Sequence, residues 1–360
     1  MTFPLKTFHL SGFRNYQQAQ VQLNSDVTLV SGPNGAGKTS LLEAIHVLAT
    51  GRSFRTGRHD KLVSDGAESC LLRAELDCGG IPHQVGMVRG RQGLQQLKMD
   101  GERLRSQSPV AQVLPVVALH PDTVALVEGG AEVRRRLFDW LMFHVEHDFL
   151  PAWQSLKHAV RQRNGALKKP GLSMQELAVW DRQLAETSGR IDRLRQARFA
   201  AFRDAFQTNL AGLSEELPGV AMRLFSGWDS SNEIVDLLIE KRDTDRARGF
   251  STVGAHRMDL RLSTDSGAVK ELLSRGQKKL VAYALVLAAL EVIAGEPGKE
   301  QQCVVLVDDL ASELDGDHGR RVFQKMASLP HQVIITALDP GLPEGWAPGK
   351  TVTMFHVEHG

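Results

Sequence analysis

Val27-Thr28-Leu29-Val30-Ser31-Gly32-Pro33-Asn34-Gly35-Ala36-Gly37-Lys38-Thr39-Ser40-Leu41-Leu42 passes from an apolar strand through a glycine-rich turn into a helix. Residues 32–39 match the pattern GxxxxGK[ST], and the strand before and the helix after are the context that pattern needs. Glycines let the backbone curl with its N–H groups pointing inward at phosphate oxygens. The helix that follows adds the positive end of its dipole. On this reading Gly32, Pro33, Asn34, Gly35, Ala36, Gly37, Lys38 and Thr39 hold the phosphates of ATP. Lys38 reaches the β- and γ-phosphates, and the Thr39 hydroxyl ligates magnesium. A glycine turn that binds nothing has no use for all the key positions at once.

Outward from this loop, residues 5–10 and 21–30 read as strands and 40–49 as a helix with Leu41, Leu42, Ile45 and Leu48 on one face. Strand patterns follow at 70–76, 84–88 and 96–99, with Asp100-Gly101 as a hairpin turn. Residues 113–119 form an apolar run. From Glu132 the pattern turns helical, at 133–147, 152–167, 175–210 and 231–243, punctuated by Pro170-Gly171 and Pro218-Gly219. Beyond it come a strand at 258–262, a helix at 277–294, a strand at 303–307, a helix at 317–327 and a strand at 332–337. The expected fold is an α/β body with a mixed sheet, made of 1–131 and 249–360. A mostly helical insertion, 132–248, interrupts it.

The last part of the body carries two further features. Cys303-Val304-Val305-Leu306-Val307-Asp308-Asp309 is an apolar strand ending in two carboxylates. Charges so near a core are costly without a ligand. Asp308 is placed to hold magnesium, and Asp309 to orient or deprotonate an attacking water. The arm of Asp309 is shorter than that of a glutamate, so hydrolysis is expected to be slow. Leu273-Ser274-Arg275-Gly276-Gln277 opens the apolar helix at 277–294. Capping alone accounts for Ser274, but Gly276, Gln277, Lys278 and Lys279 make this helix start a second candidate anion site.

The stretch 273–277 resembles the LSxGQ signature of ABC-type ATPases, and Ser312-Glu313-Leu314-Asp315 resembles their D-loop. The order of phosphate loop, insertion, signature, acid pair and D-loop is that of an ABC-type head domain. In that class the signature of one subunit closes over the γ-phosphate held by the other. The resemblance thus implies that Ser274, Gly276 and Gln277 contact a partner's nucleotide. More specifically, the chain resembles the RecF family of bacterial recombination mediators, relatives of the chromosome-maintenance (SMC) ATPases. That resemblance spans nearly the whole length. It rests on Phe13-Arg14-Asn15-Tyr16, residues 51–55, His120-Pro121-Asp122, Arg134-Arg135-Arg136, Gln162-Arg163-Asn164 and Asp308-Asp309. It implies an ATP-driven homodimer on single-stranded or gapped DNA, with weak DNA-stimulated ATPase activity. It also implies work with RecO and RecR to load RecA, in replication, repair and the SOS response. In related heads the arginine of the first loop touches nucleotide, which makes Arg14, with Asn15 beside it, a candidate contact. Two departures from ABC transporters stand out. Thr336 occupies the switch-histidine position, and His120 and Asp122 lie where a Q-loop glutamine is sought.

The remaining sequence bounds these readings. The formal net charge is +1, from 43 basic and 42 acidic residues, so any DNA surface must be local. Between 151 and 205 eleven Lys and Arg stand against five Asp and Glu, and residues 51–58 add Arg52, Arg55 and Arg58 around Phe54. No base-reading motif is present, so recognition of backbone and junction shape is expected. Three cysteines without CxxC spacing suit a reducing cytoplasm rather than a disulfide scaffold or zinc site. No signal peptide or membrane span is read; the apolar run 280–294 contains Tyr283 and Glu291. Met-Phe-His-Val-Glu-His occurs at 142–147 and again at 354–359. One codon choice for it, ATG TTC CAC GTG GAA CAT, is its own reverse complement. The terminal copy is therefore expected to be a DNA-level feature with little role in the protein. Three other readings fit less well. A transporter subunit lacks its switch histidine here. A long SMC tether cannot be built from an insertion interrupted by Pro170 and Pro218. A GTPase needs Asn-Lys-x-Asp, and no Asn is followed by Lys. An ATP-gated clamp without significant turnover shares every binding residue, as would another ABC/SMC-like ATPase.

Overall fold

The computed structural model describes residues 3–358 except 172, 216, 218, 297–301 and 340–345, and omits the side chains of 311 and 312. Pro218, His359 and the Ser312 side chain, all invoked above, lie outside the described set. By packing, the chain divides into two compact units, Met1–Thr123 with Ile293–Gly360, and Val124–Val292.

The first unit holds two sheets. One is antiparallel, in the order Tyr16–Gln22, Leu5–Phe13, Ser69–Cys78, Ile81–Gly90, Gly93–Met99, Glu102–Arg103. The other is parallel, in the order Val352–His356, Val27–Ser31, Gln332–Ala337, Val304–Val307, Val116–Leu119. The mixture of strand directions is thus divided between two sheets. The inner parallel strands are continuous apolar runs because both faces are covered. The antiparallel strands alternate, and one of their faces remains open. The helix Lys38–Thr50 shares a core with both sheets, so it buries Ala44, Val47 and Ala49 as well as the expected Leu41, Leu42, Ile45 and Leu48.

Two sequence expectations need correction. Residues 21–30 are not one strand. Tyr16–Gln22 and Val27–Ser31 join different sheets, and the chain turns between them at Asn24-Ser25-Asp26. Ser25 Oγ donates to Val27 O (2.9 Å), a polar turn that the apolar pattern around it concealed. The run 113–119 likewise breaks at Pro115, which ends the helix Ser108–Val113 before the strand Val116–Leu119. The Asp100-Gly101 turn forms as expected, with φ of 52° and 86°.

The second unit contains the helices Ala131–Val145, Phe149–Leu167, Met174–Leu213 and Arg275–Ala294 and a small antiparallel sheet. One of its strands, Ala221–Phe225, had no clear sequence signal and pairs with Asp259–Thr264. Arg163, fully buried, donates to Asp181 (2.7 Å), Asp245 (2.6 Å) and Ser251 (2.8 Å). Arg134 grips Asp259 with two bonds, at 2.8 and 3.0 Å. These ties bring 249–292 into the helical unit, so division by packing falls at 123/124 and 292/293, whereas sequence character changes at 131/132 and 248/249. No described helix is long and apolar enough to cross a membrane.

Candidate functional site

The strand Val27–Ser31 delivers the chain to a loop that only glycine can shape. Gly32, Gly35 and Gly37 have φ of 151°, 83° and 114°. A Cβ at Gly32 would lie 2.1 Å from Val357 O, and one at Gly37 would lie 2.7 Å from Asn15 Nδ2. Around Gly35 nothing lies within 4 Å, so the loop is packed at its base and open at its crest. Lys38 Nζ folds back over the loop, donating to Gly32 O (2.6 Å) and Pro33 O (2.9 Å).

The hairpin turn at Phe13-Arg14-Asn15-Tyr16 buttresses the loop. Asn15 Nδ2 donates to Ala36 O (3.2 Å) and the Tyr16 hydroxyl to Gly37 O (3.2 Å). Burial pushes the Tyr16 phenol up to about 12, which keeps its proton available for that bond. Arg14, held at φ 54°, does not face the loop carbonyls. Its Nε and Nη2 bind both oxygens of the fully buried Glu43, at 2.8 and 2.6 Å. Glu43 also accepts from Ser53 and Arg55, so one carboxylate on the loop's helix ties down the first hairpin and the segment 51–58. Arg58 pairs with Asp60. Phe54 of the same segment stacks on His120 (4.9 Å between centroids) and meets His46 edge-on (5.4 Å). Burial pushes His46 down to about 4 and also lowers His120, against the opposing pull of Asp122 and Asp308. Both rings are neutral near pH 7.

The acid pair meets the loop. Thr39 Oγ1 donates to Asp308 Oδ1 at 2.8 Å, across 269 residues of sequence. Thr336 Oγ1 donates to the same oxygen (2.9 Å) and accepts from the Asp309 amide (3.0 Å). Asp309 lies in the left-handed region at φ 52°, a conformation uncommon for a non-glycine residue and frequent at functional sites. Thr336, the odd residue at the switch position, is therefore the link between the two acids. Its role had no local sequence signal, since it depends on the pairing of Gln332–Ala337 with both Val304–Val307 and Val27–Ser31. The backing of Gly32 by Val357 was equally hidden.

At the other candidate site, Ser274 Oγ accepts from the Gln277 amide (3.3 Å) while Gln277 Oε1 accepts from the Ser274 amide (3.0 Å). This is a reciprocal capping box. Gly276 has nothing within 4 Å of a built Cβ, so the helix start is open. Asp315 of the D-loop caps the helix Gly316–Ser328.

The basic insertion is less available than its composition suggests. Arg163 and Arg195 are buried, the latter on Asp139 (2.7 Å) and Ala255 O (2.8 Å). Arg203 pairs with Asp204, and Lys157 lies over the Trp153 ring (4.3 Å). Exposed residues such as Arg182, Arg190 and Arg193 remain.

Residues 4–360 match the family described as the RecF/RecN/SMC N terminal domain. The chain is 38% identical over 361 residues to the DNA replication and repair protein RecF of Stutzerimonas stutzeri (strain A1501), covering 99% of this chain and 96% of that protein. The chain belongs to the RecF family. The RecF of Pseudomonas aeruginosa (strain LESB58) is 37% identical over 353 residues, 98% of this chain and 95% of that one. A solved structure described as the recombination mediator protein RecF-ATP in the RecFOR pathway matches with a TM-score of 0.85, at 22% identity, over 99% of this chain and 96% of that chain. An Smc head domain with an extended coiled coil, derived from Pyrococcus furiosus, matches with a TM-score of 0.57 at 18% identity, over 94% and 90%. At those identities the structures speak for the fold, an ABC-type ATPase head interrupted by a helical insertion, which the RecF family shares with SMC heads.

Proposed function

We propose that this RecF-family chain is an ATP-dependent, DNA-binding recombination mediator whose nucleotide site is shared between two copies. The observation that carries the reading is the 2.8 Å bond from Thr39 to Asp308 beneath the open crest of the glycine loop. It joins the last residue of the phosphate-loop motif to the first of the acid pair, which supports reading the two motifs as one site.

In this reading 1–131 and 249–360 act as the ATPase head, and 132–248 as the helical arm. The backbone of 32–39 cradles the ATP phosphates, with Lys38 released from Gly32 O and Pro33 O to meet them. A hydroxyl and a carboxylate oxygen side by side suit a hard, oxygen-preferring cation. Thr39 and Asp308 would hold Mg2+, which supplies charge neutralisation on the phosphates. Asp309 positions or deprotonates water for slow hydrolysis, with Thr336 fixing its backbone. Asn15 supports the loop from behind, and Arg14 acts on it through Glu43 and the loop's helix. Ser274, Gly276 and Gln277 of a second copy close over the γ-phosphate. Ser274 keeps its hydroxyl proton for that purpose, since within its own chain the oxygen accepts from Gln277. The relatives are DNA replication and repair proteins, and on that likeness the dimer engages single-stranded or gapped DNA and works with RecO and RecR in loading RecA.

Sedimentation with and without ATP and magnesium tests this. The chain is expected to be monomeric alone and dimeric with ATP. Lys38→Ala abolishes both ATP binding and the dimer, whereas Ser274→Arg binds ATP and stays monomeric. Asp309→Asn keeps the dimer and loses turnover. A wild-type chain that binds ATP and remains monomeric overturns the shared site.

A further inference from the structure

The antiparallel sheet packs one face into the core through Phe8, Leu10, Leu72, Ala74, Val85, Met87 and Leu97. Its other face carries an ordered row of side chains. His9 pairs with Arg73, Arg73 with Gly86, Gly86 with Lys98, and Lys98 with Arg103. Directly opposed residues point to the same side of a sheet, so these form one line across five strands. At about 4.8 Å per strand the line is roughly 19 Å long. Arg73, Lys98 and Arg103 are all exposed, and none has an ion pair or hydrogen-bonded side chain among the described residues. Two acids form the neighbouring row of the same face, Glu75 beside Arg73 and Asp100 beside Lys98. Asp100 accepts from His83 (2.7 Å) and the Gln84 amide (2.8 Å), which favour its charged form, so three cations stand against two acids and the cations hold the line itself. A groove of about 420 Å³ runs along the line, with Gln18 and Gln84 on its walls.

We propose that this sheet face is a track for the sugar-phosphate backbone of duplex DNA, such as the double-stranded flank of a gap. The proposal rests on the DNA-binding reading above and assigns it a surface. Three unpaired cations at strand spacing present a linear charge array, and the glutamine amides add neutral donors for phosphate oxygens. No Phe, Tyr or Trp lies on the face, so it offers no platform for stacking unpaired bases. Duplex carries one phosphate charge per roughly 1.7 Å of axis, which suits a surface that reads charge alone. The insertion is the competing surface: Arg163, Arg195 and Arg203 are committed to acids within the chain, but Arg182, Arg190 and Arg193 stay exposed. Gly86 leaves a gap in the middle of the line. Its φ is unstrained, and a Cβ there would meet only Arg73 Cγ, at 3.8 Å.

The test is duplex affinity as a function of salt, with ATP present, for the full chain and three variants. The triple variant Arg73→Gln, Lys98→Gln, Arg103→Gln should lower the slope of log K against log salt by about 2.7, at roughly 0.9 per phosphate contact removed. Gly86→Lys should raise it by about 1 and tighten binding. Arg182→Gln, Arg190→Gln, Arg193→Gln should leave it nearly unchanged. An unaltered slope in the first variant, with ATP-dependent dimerisation intact, overturns the sheet as the site. So does a loss confined to the helix variant. A wild-type chain that binds no DNA overturns the functional reading along with it.

Discussion

One repeated peptide folds in two ways in this protein, as far as its residues are described. At 142–145 Met-Phe-His-Val ends the helix Ala131–Val145, with Met142 and Val145 buried and His144 packed against Trp140 and Phe143. At 354–356 Met-Phe-His lies in the edge strand Val352–His356, with Met354 59% exposed and Phe355 turned inward to the core. What differs is the chain leading in. The first copy follows eleven helical residues, 131–141. The second follows Pro348-Gly349, with Gly349 at φ 71°, and then Thr351-Val352-Thr353, whose β-branched side chains favour an extended chain. Intrinsic preference in a mixed hexapeptide is a weak prior, and the neighbours decide. The terminal copy is also more than a DNA-level feature. Its strand pairs with Val27–Ser31, and Val357 N–H donates to Ser31 O at 2.8 Å, just ahead of Gly32.

If context alone separates the copies, equal substitutions must have unequal effects. Met142→Ala removes a fully buried side chain and should cost about 2–5 kcal/mol in denaturant unfolding. A cost as small as that expected for exposed Met354 would mean the helical copy is not packed as described. Next in size is Val357→Pro. It deletes the bond to Ser31 O and leaves that acceptor beside the glycine loop, at a cost of about 1–3 kcal/mol. ATP affinity should fall with it, because the strand that launches the loop loses its outer tie. Unchanged nucleotide binding would reduce the terminal strand to a passive cover.

The same dependence on context explains what the sequence made legible. The phosphate loop could be read because its function is local: three glycines, a lysine and a threonine within eight residues, flanked by the elements they require. Asp308-Asp309 and the capping box at Ser274 were legible for the same reason. Features set by pairing were not. The break at Asn24-Ser25-Asp26 was masked because the alternation through Val21 and Leu23 runs straight into the apolar Val27–Ser31, yet the two strands join different sheets. Thr336 gains its meaning only from lying beside Asp308, and Arg163 and Arg195 read as surface charge until their acids arrive from distant segments. The line from His9 to Arg103 is spread over 94 residues, and only strand register reveals it.

The smallest effect is expected at His356→Pro, and its smallness is informative. Along a strand, successive N–H groups point to opposite sides. Since the Val357 amide faces Ser31, the His356 amide faces away from the sheet, and Val352–His356 is the outermost strand. Proline removes only an outward donor there, and sheet edges accept it in that position. The residue before it, Phe355, is already extended, which is the conformation proline imposes on its neighbour. The substitution also gives up the 3.3 Å approach between Ser31 Oγ and the exposed imidazole, a long and weak bond. Stability should change by no more than about 0.5 kcal/mol, in the range of ordinary surface substitutions, and ATP binding should be retained. At position 357 the same residue strikes the inward amide. A His356→Pro protein as damaged as Val357→Pro would show that the terminal copy is not an edge strand held through alternate amides.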